Sequence, residues 1–159
     1  MRLVLRFLGV GGAQSPDLVS SCGVLERDGE PLLMIDCGPE ALGAYLDHYG
    51  QVPRALYITH THMDHVGGLE RLFYRSWFQE RQHGPLRLYA HANLVPLLQA
   101  RVADFPEPLA EGGANFWDAF QLVPCSRGFW HAGQWFDVFA TRHHAPGTSF
   151  GLALAGALA

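Results

Sequence analysis

At 159 residues the chain is long enough for one hydrophobic core and fits a single domain, and 48% apolar against 16% charged residues excludes wholesale disorder. The formal charge of −4 with histidines neutral, and the absence of any lysine, leave no overall positive field to draw the protein onto nucleic acid. No apolar run reaches membrane-spanning length, and Cys22, Cys37 and Cys125 are odd in number without C-x-x-C spacing, so we expect reduced thiols in a cytoplasmic protein with no membrane partner.

Arg2 to Leu8 alternates like a half-buried strand, which suits a first strand better than a signal peptide, and Gly9, Gly11 and Gly12 then free the backbone for a loop. Ser21 to Arg27 and Pro31 to Asp36 read as a hairpin about Asp28-Gly29. A helix starts at Pro39 and stops near Gly50, and the apolar run Ala55 to Thr59 is a short buried strand. From Val66 to about Gln82, apolar residues at 66, 69, 72, 73 and 77 predict the longest helix, ended by Gly84-Pro85. A strand over Leu86 to Ala90, a helix over Ala92 to Val102 and a loop over Asp104 to Asn115 follow. Strands over Phe120 to Pro124, Gln134 to Thr141 and Ser149 to Leu154 complete the series. The mixture of hairpins and helical crossovers predicts an α/β fold with sheets covered by helices. A terminal segment as apolar as FGLALAGALA should have neighbours on both sides, so we expect residues 1–159 to be one domain lacking its C-terminal part.

The chemistry concentrates in T-H-T-H-M-D-H, residues 59 to 65, just after the buried strand. In extended chain His60, His62 and Asp64 point to one side while Thr59, Thr61 and Met63 face away, and His65 opens the next helix. Neutral imidazole and carboxylate are ligands for zinc and similar divalent ions. So many of them in six residues suggest two adjacent ions, one on His60 and His62, the other on Asp64 and His65. A histidine-rich surface loop would explain one such histidine and not three.

His60-Thr61-His62-Met63-Asp64-His65 resembles the H-x-H-x-D-H signature of the metallo-β-lactamase fold hydrolases, and FLGVGGA, LMIDCG and VGGL match that superfamily in the expected order. The opening F-L-G-x-G is most similar to the ribonuclease Z and cyclic phosphodiesterase branch. The resemblance implies a sandwich of two β-sheets flanked by helices, with two divalent ions at one edge, zinc foremost and manganese or iron as alternatives. It also implies that Asp36 supports the metal-binding loop from behind, as a carboxylate does when it bonds a ligand's other ring nitrogen. A third histidine should come from T-R-H-H-A-P-G-T-S-F-G, residues 141 to 151. His144, followed by Ala145, Pro146 and Gly147, resembles the family's H-x-P-G form and is the expected ligand. His143 is its competitor, or else a group that supports the site or faces the substrate. The family's metal-bridging aspartate and last histidine have no match in this sequence.

Such ions lower the pKa of water and polarise a phosphoryl or carbonyl oxygen, so hydrolysis follows, with Asp64 as the residue that also aims the attacking water. The expected activity is metal-dependent hydrolysis of a small phosphodiester. Nucleic acid is not favoured, because the chain is acidic and has no basic arm. An ester, thioester or lactone hydrolase on the same site is the alternative, and a metal-binding module or fragment without catalysis is a third reading. A missing half contributed by another chain would make the protein a homo-oligomer. Arg71 and Arg75, one turn apart, read as a solvated helix face before they read as a phosphate clamp. His48, His83, His91 and His131 read as structural.

Overall fold

The computed structural model describes residues 1–104 and 114–154. Six strands form one sheet in sequence order: β1 (Leu3–Gly9), β2 (Cys22–Arg27), β3 (Glu30–Ile35), β4 (Ala55–Ile58), β5 (Leu86–His91) and β6 (Phe120–Cys125). The first three pair antiparallel, and β3 to β6 pair parallel. This division follows from the connections. Asp28 and Gly29, at φ of 54° and 89°, make the tight turn that an antiparallel hairpin needs, whereas α1 (Ala41–Tyr49) carries the chain over from β3 to its parallel neighbour β4. Every residue of β4, ALYI, is buried, as a central parallel strand covered on both faces requires.

A second sheet holds β7 (Gly128–His131), β8 (Gln134–Ala140) and β9 (Phe150–Leu154), all antiparallel. Aromatic rings fill the space between the sheets: Phe129 stacks on Tyr89 at 4.1 Å between centroids and on Phe136 at 5.2 Å, with Tyr57 at 5.8 Å. The mixed α/β class and the two-sheet arrangement are those expected from the sequence. β7 is an addition. Its hairpin turns on Ala132-Gly133, at φ of 48° and 78°, and alanine is a poor sequence signal for a left-handed position. On its other edge, beyond β9, no further strand is paired among the described residues. Residues 105–113 of the expected loop and 155–159 of the apolar end lie outside the described residues.

Two helices differ from expectation. The helix predicted from 66 to about 82 is split into α2 (Met63–Val66) and α3 (Leu69–Gln79), with a 3-10 turn over Arg81–His83. The break has a packing cause. Gly68 donates its N–H to the Cys37 carbonyl at 2.9 Å, and a Cβ on Gly68 would lie 2.3 Å from the Gly38 carbonyl oxygen. The segment from Ala92 likewise divides into a 3-10 turn (Ala92–Leu94), α4 (Val95–Leu98) and a wider turn over Gln99–Ala103. No helix of the described residues is long and apolar enough to cross a membrane.

The close approach at Gly68 gives a paired prediction. Gly68→Ala should destabilise the fold by about 1–3 kcal/mol or more, because backbone must move. Gly43→Ala, in α1 with nothing within 4 Å of its added Cβ, should instead stabilise by about 0.5–1 kcal/mol. Thermal melts of both variants check this; a Gly68→Ala protein as stable as the parent contradicts it.

Candidate metal centre

The site forms where the parallel strands β3 and β4 end. Their register sets Met34 beside Leu56 and Ile35 beside Tyr57, and the pairing continues as the Asp36 N–H donates to the Tyr57 carbonyl at 2.9 Å. Asp36 therefore emerges beside Thr59 and the histidines that follow it. Its backbone turns into the left-handed region, φ 61°, a conformation that aspartate tolerates better than most side chains.

Three donors converge on this one buried carboxylate. The Thr59 N–H donates to Oδ1 at 2.8 Å, while the Thr59 hydroxyl at 2.6 Å and His65 Nδ1 at 2.7 Å both approach Oδ2. The Thr59 hydroxyl has one proton, which the carboxylate takes, so its contact with His60 Nδ1 at 2.9 Å must be one in which the imidazole donates. Asp36 thereby sets the tautomer of two histidines, His65 directly and His60 through Thr59. In each neutral ring the proton sits on Nδ1 and the lone pair on Nε2. His60 Nε2 is buried and has no hydrogen-bond partner among the described residues. A buried lone pair without a donor is costly unless a cation occupies the position it faces, and the donor set around it is of the kind divalent ions accept.

The remaining groups gather about His60. Ring centroids of His62, His65 and His143 lie 4.8, 4.0 and 4.6 Å from that of His60. One ligand atom each from His60, His62 and His143 fall within 4.8 Å of one another, and so do atoms of Asp36, His60 and His65. His65 Nε2 is 3.3 Å from Asp64 Oδ2, so the carboxylate of α2 stands beside the His65 ring. His144 takes a different position, with its ring stacked on His62 at 4.2 Å and 10° and 6.2 Å from His60. Burial, followed by the neighbouring imidazoles, pushes the His60 pKa down to about 3 and also lowers that of His62, which keeps both rings neutral and able to ligate near neutral pH. For His65 burial pulls the same way, but the Asp36 hydrogen bond and the charges of Asp36 and Asp64 outweigh it and raise the pKa.

The second sheet delivers His143 and His144. The Phe150 N–H donates to the Thr59 carbonyl at 2.9 Å, His60 and Ser149 form an isolated antiparallel bridge, and the Tyr57 hydroxyl donates to the Phe150 carbonyl at 3.0 Å. Thr141 and Ser149 close the base of the loop through their hydroxyls at 2.7 Å. Thr59, counted from the sequence among residues facing away from the cluster, does face away, and in doing so meets Asp36. Its position directly before the first histidine, at the end of the strand next to one that ends in an aspartate, was the available signal. Arg75 pairs with Glu80 at 3.3 Å and Arg71 is exposed. His91 stacks on Phe150 at 3.7 Å, and His131 bridges Tyr89 and the Leu32 carbonyl, both in structural roles.

The family described as Anti-Pycsar protein Apyc1 matches residues 3–159. A protein of that name from Saccharibacillus brassicae is 37% identical over 97 residues, covering 60% of this chain and 39% of the relative. Another from Paenibacillus xerothermodurans is 30% identical over 162 residues, covering 97% of this chain and 63% of the relative, so the chain spans less than two thirds of the length of these relatives. Among solved structures, a diphosphatase of the PhnP family superposes with a TM-score of 0.74 at 18% identity, over 96% of this chain and 62% of that one. The short form of human tRNase Z superposes with a TM-score of 0.59 at 23% identity, over 94% of this chain and 64% of that one. The metallo-β-lactamase fold protein YhfI from Bacillus subtilis superposes with a TM-score of 0.71 at 15% identity, over 96% of this chain and 57% of that one, and at these identities the structures establish that fold. With residues 3–159 matched by the family model, the chain belongs to the Anti-Pycsar protein Apyc1 family and has the metallo-β-lactamase fold.

Proposed function

We propose that the chain is the metal-binding part of a hydrolase that acts on a small phosphodiester. The observation that carries this reading is the cluster of His60, His62 and His143, in which the buried His60 Nε2 has no hydrogen-bond partner among the described residues. His60, His62 and His143 would hold one divalent ion, and Asp64 and His65 a second, with zinc foremost. This places His143 ahead of His144, which the sequence resemblance favours, because the His143 ring lies nearer His60. His144 then covers the outer face of His62 by stacking.

When bound, the ions would supply a Lewis acid that lowers the pKa of water from 15.7 towards about 7 and polarises the attacked phosphoryl oxygen. The chain's own residues would do the rest. Asp36 and Thr59 fix the direction of the ligand lone pairs, and Asp64 accepts a hydrogen bond from the attacking water and orients it. The phosphoryl chemistry named for the PhnP-family neighbour supports a phosphodiester over an acyl substrate. The chain's acidic charge supports a small substrate over a nucleic acid.

Three outcomes follow. Zinc content should fall by about one equivalent in His143→Ala and stay near the parent value in His144→Ala; the reverse result would return the ligand role to His144. With zinc or manganese, the protein should cleave bis-p-nitrophenyl phosphate faster than a thioester or a lactone, and activity confined to the acyl substrates would overturn the diesterase reading. Fewer than two bound zinc ions with no hydrolysis at all would favour a metal-binding module. Finally, Thr59→Val should weaken zinc binding about 10–100-fold in a chelator competition, the loss typical when a ligand's outer hydrogen-bond partner is removed, while Thr59→Ser keeps most of it. Parent-like affinity in Thr59→Val would contradict the role assigned to the hydroxyl.

A further inference from the structure

The loop that carries both histidines of the second sheet, residues 141–149 between β8 and β9, is tied down unevenly. Its base is closed: the Thr141 N–H donates to the Ser149 carbonyl at 3.0 Å, and the two hydroxyls meet at 2.7 Å. Its crown is exposed from Arg142 to Pro146, and the Thr148 hydroxyl folds the loop back on itself by donating to the Ala145 carbonyl at 2.6 Å. Among the described residues, one hydrogen bond reaches residues 142–148 from outside the loop. Asn93 Nδ2 donates to the Gly147 carbonyl at 3.3 Å, and because that carbonyl can only accept, the amide must stand with its nitrogen toward the loop. Gly147 makes its turn in the left-handed region, φ 72°.

Asn93 is itself placed by the end of β5. The strand stops at His91 and passes into the 3-10 turn Ala92–Leu94, which His91 caps by accepting the Asn93 N–H on Nδ1 at 3.1 Å. Its neutral ring therefore carries the proton on Nε2. Burial lowers the His91 pKa, which favours the neutral form that can accept. The same ring lies flat on Phe150, 3.7 Å between centroids and 2° between planes. The end of β5 thus holds the second sheet twice, at Phe150 just after the loop and at Gly147 within it.

The second hold decides the rotation of the loop. His143 and His144 have ring centroids 5.3 Å apart, and both come close to His62, at 5.2 and 4.2 Å. They differ toward His60, at 4.6 against 6.2 Å. A loop hinged at Thr141 and Ser149 alone would exchange one ring for the other with a small turn about its base. A bond on its outgoing limb opposes that turn.

We infer that Asn93 is a positioning residue: its bond to Gly147 holds the 141–149 loop at the rotation that presents His143 to His60 and lays His144 against His62. The inference rests on the metal-site reading of the cluster and is independent of which substrate is cleaved.

Asn93→Ala tests this in the full chain. Zinc affinity, read by chelator competition, should fall about 2- to 10-fold, the effect of one net hydrogen bond. The deciding comparison repeats the substitution in His143→Ala. There it should cost no affinity, because the freed loop brings His144 up in place of the missing ring, whereas a loop that is merely loosened loses affinity in both backgrounds. Equal losses in the two, or no loss in the parent, overturn the inference. A second readout needs no metal. With the rings neutral, the ring protons of His144, shielded by the parallel His62 ring, should move downfield in Asn93→Ala, and signals that stay in place also overturn it. If His144→Ala proves costlier for zinc than His143→Ala in the parent, the ligand assignment and this inference fall together. If His143→Ala is the costlier and Asn93→Ala is silent, this inference falls alone.

Discussion

Everything in the candidate site hangs on one carboxylate. Asp36 accepts from the Thr59 amide, the Thr59 hydroxyl and His65 Nδ1, and through that hydroxyl it also fixes His60. Neutral imidazole has one donor nitrogen and one acceptor nitrogen, and the protein decides which is which by what it places behind the ring. Here the decision for two rings is made at a single buried point, which leaves the lone pair of each on Nε2. The left-handed backbone of Asp36 is the local cost of aiming its carboxylate there.

The fold supplies that point by topology. Parallel pairing of β3 and β4 brings their carboxyl ends side by side, which is where open α/β sheets commonly place ligands, and so sets an aspartate from one strand against the threonine and histidine of the next. The second sheet closes the site by a different route. The bridge from His60 to Ser149 and the bonds from Phe150 to Thr59 and Tyr57 tie the 141–149 loop to the end of β4. The stacked rings of Tyr89, Phe129 and Phe136 hold the sheets together behind it. Candidate ligands brought by two sheets are thus positioned by a core that none of them belongs to.

Much of this was legible in the sequence because its signals are local. The Asp28-Gly29 turn, the apolar run of β4 and the crowding of residues 60 to 65 each announce themselves within a few residues. What was hidden depends on distant partners. The split at Gly67-Gly68 arises from the Gly38 carbonyl pressing on that point, which helical periodicity alone does not encode. β7 turns on an alanine in a left-handed position, against the usual Asn-Gly or Asp-Gly pattern. Adjacent residues in an irregular loop, His143 and His144, have no period to tell them apart, and only the folded loop sets them at 4.6 and 6.2 Å from the His60 ring. Asn93 belongs to no motif. Its bond to Gly147 joins residues 54 apart in the chain.

The central claim is that Asp36 holds both His60 and His65 with the proton on Nδ1 and the lone pair on Nε2. Long-range nitrogen-15 NMR of the histidine rings in the metal-free protein, recorded above the raised pKa of His65, reads this directly. Both rings should appear as the Nδ1–H tautomer, and Thr59→Val should release His60 while leaving His65 as it was. An Nε2–H tautomer at either ring in the parent protein would contradict the account.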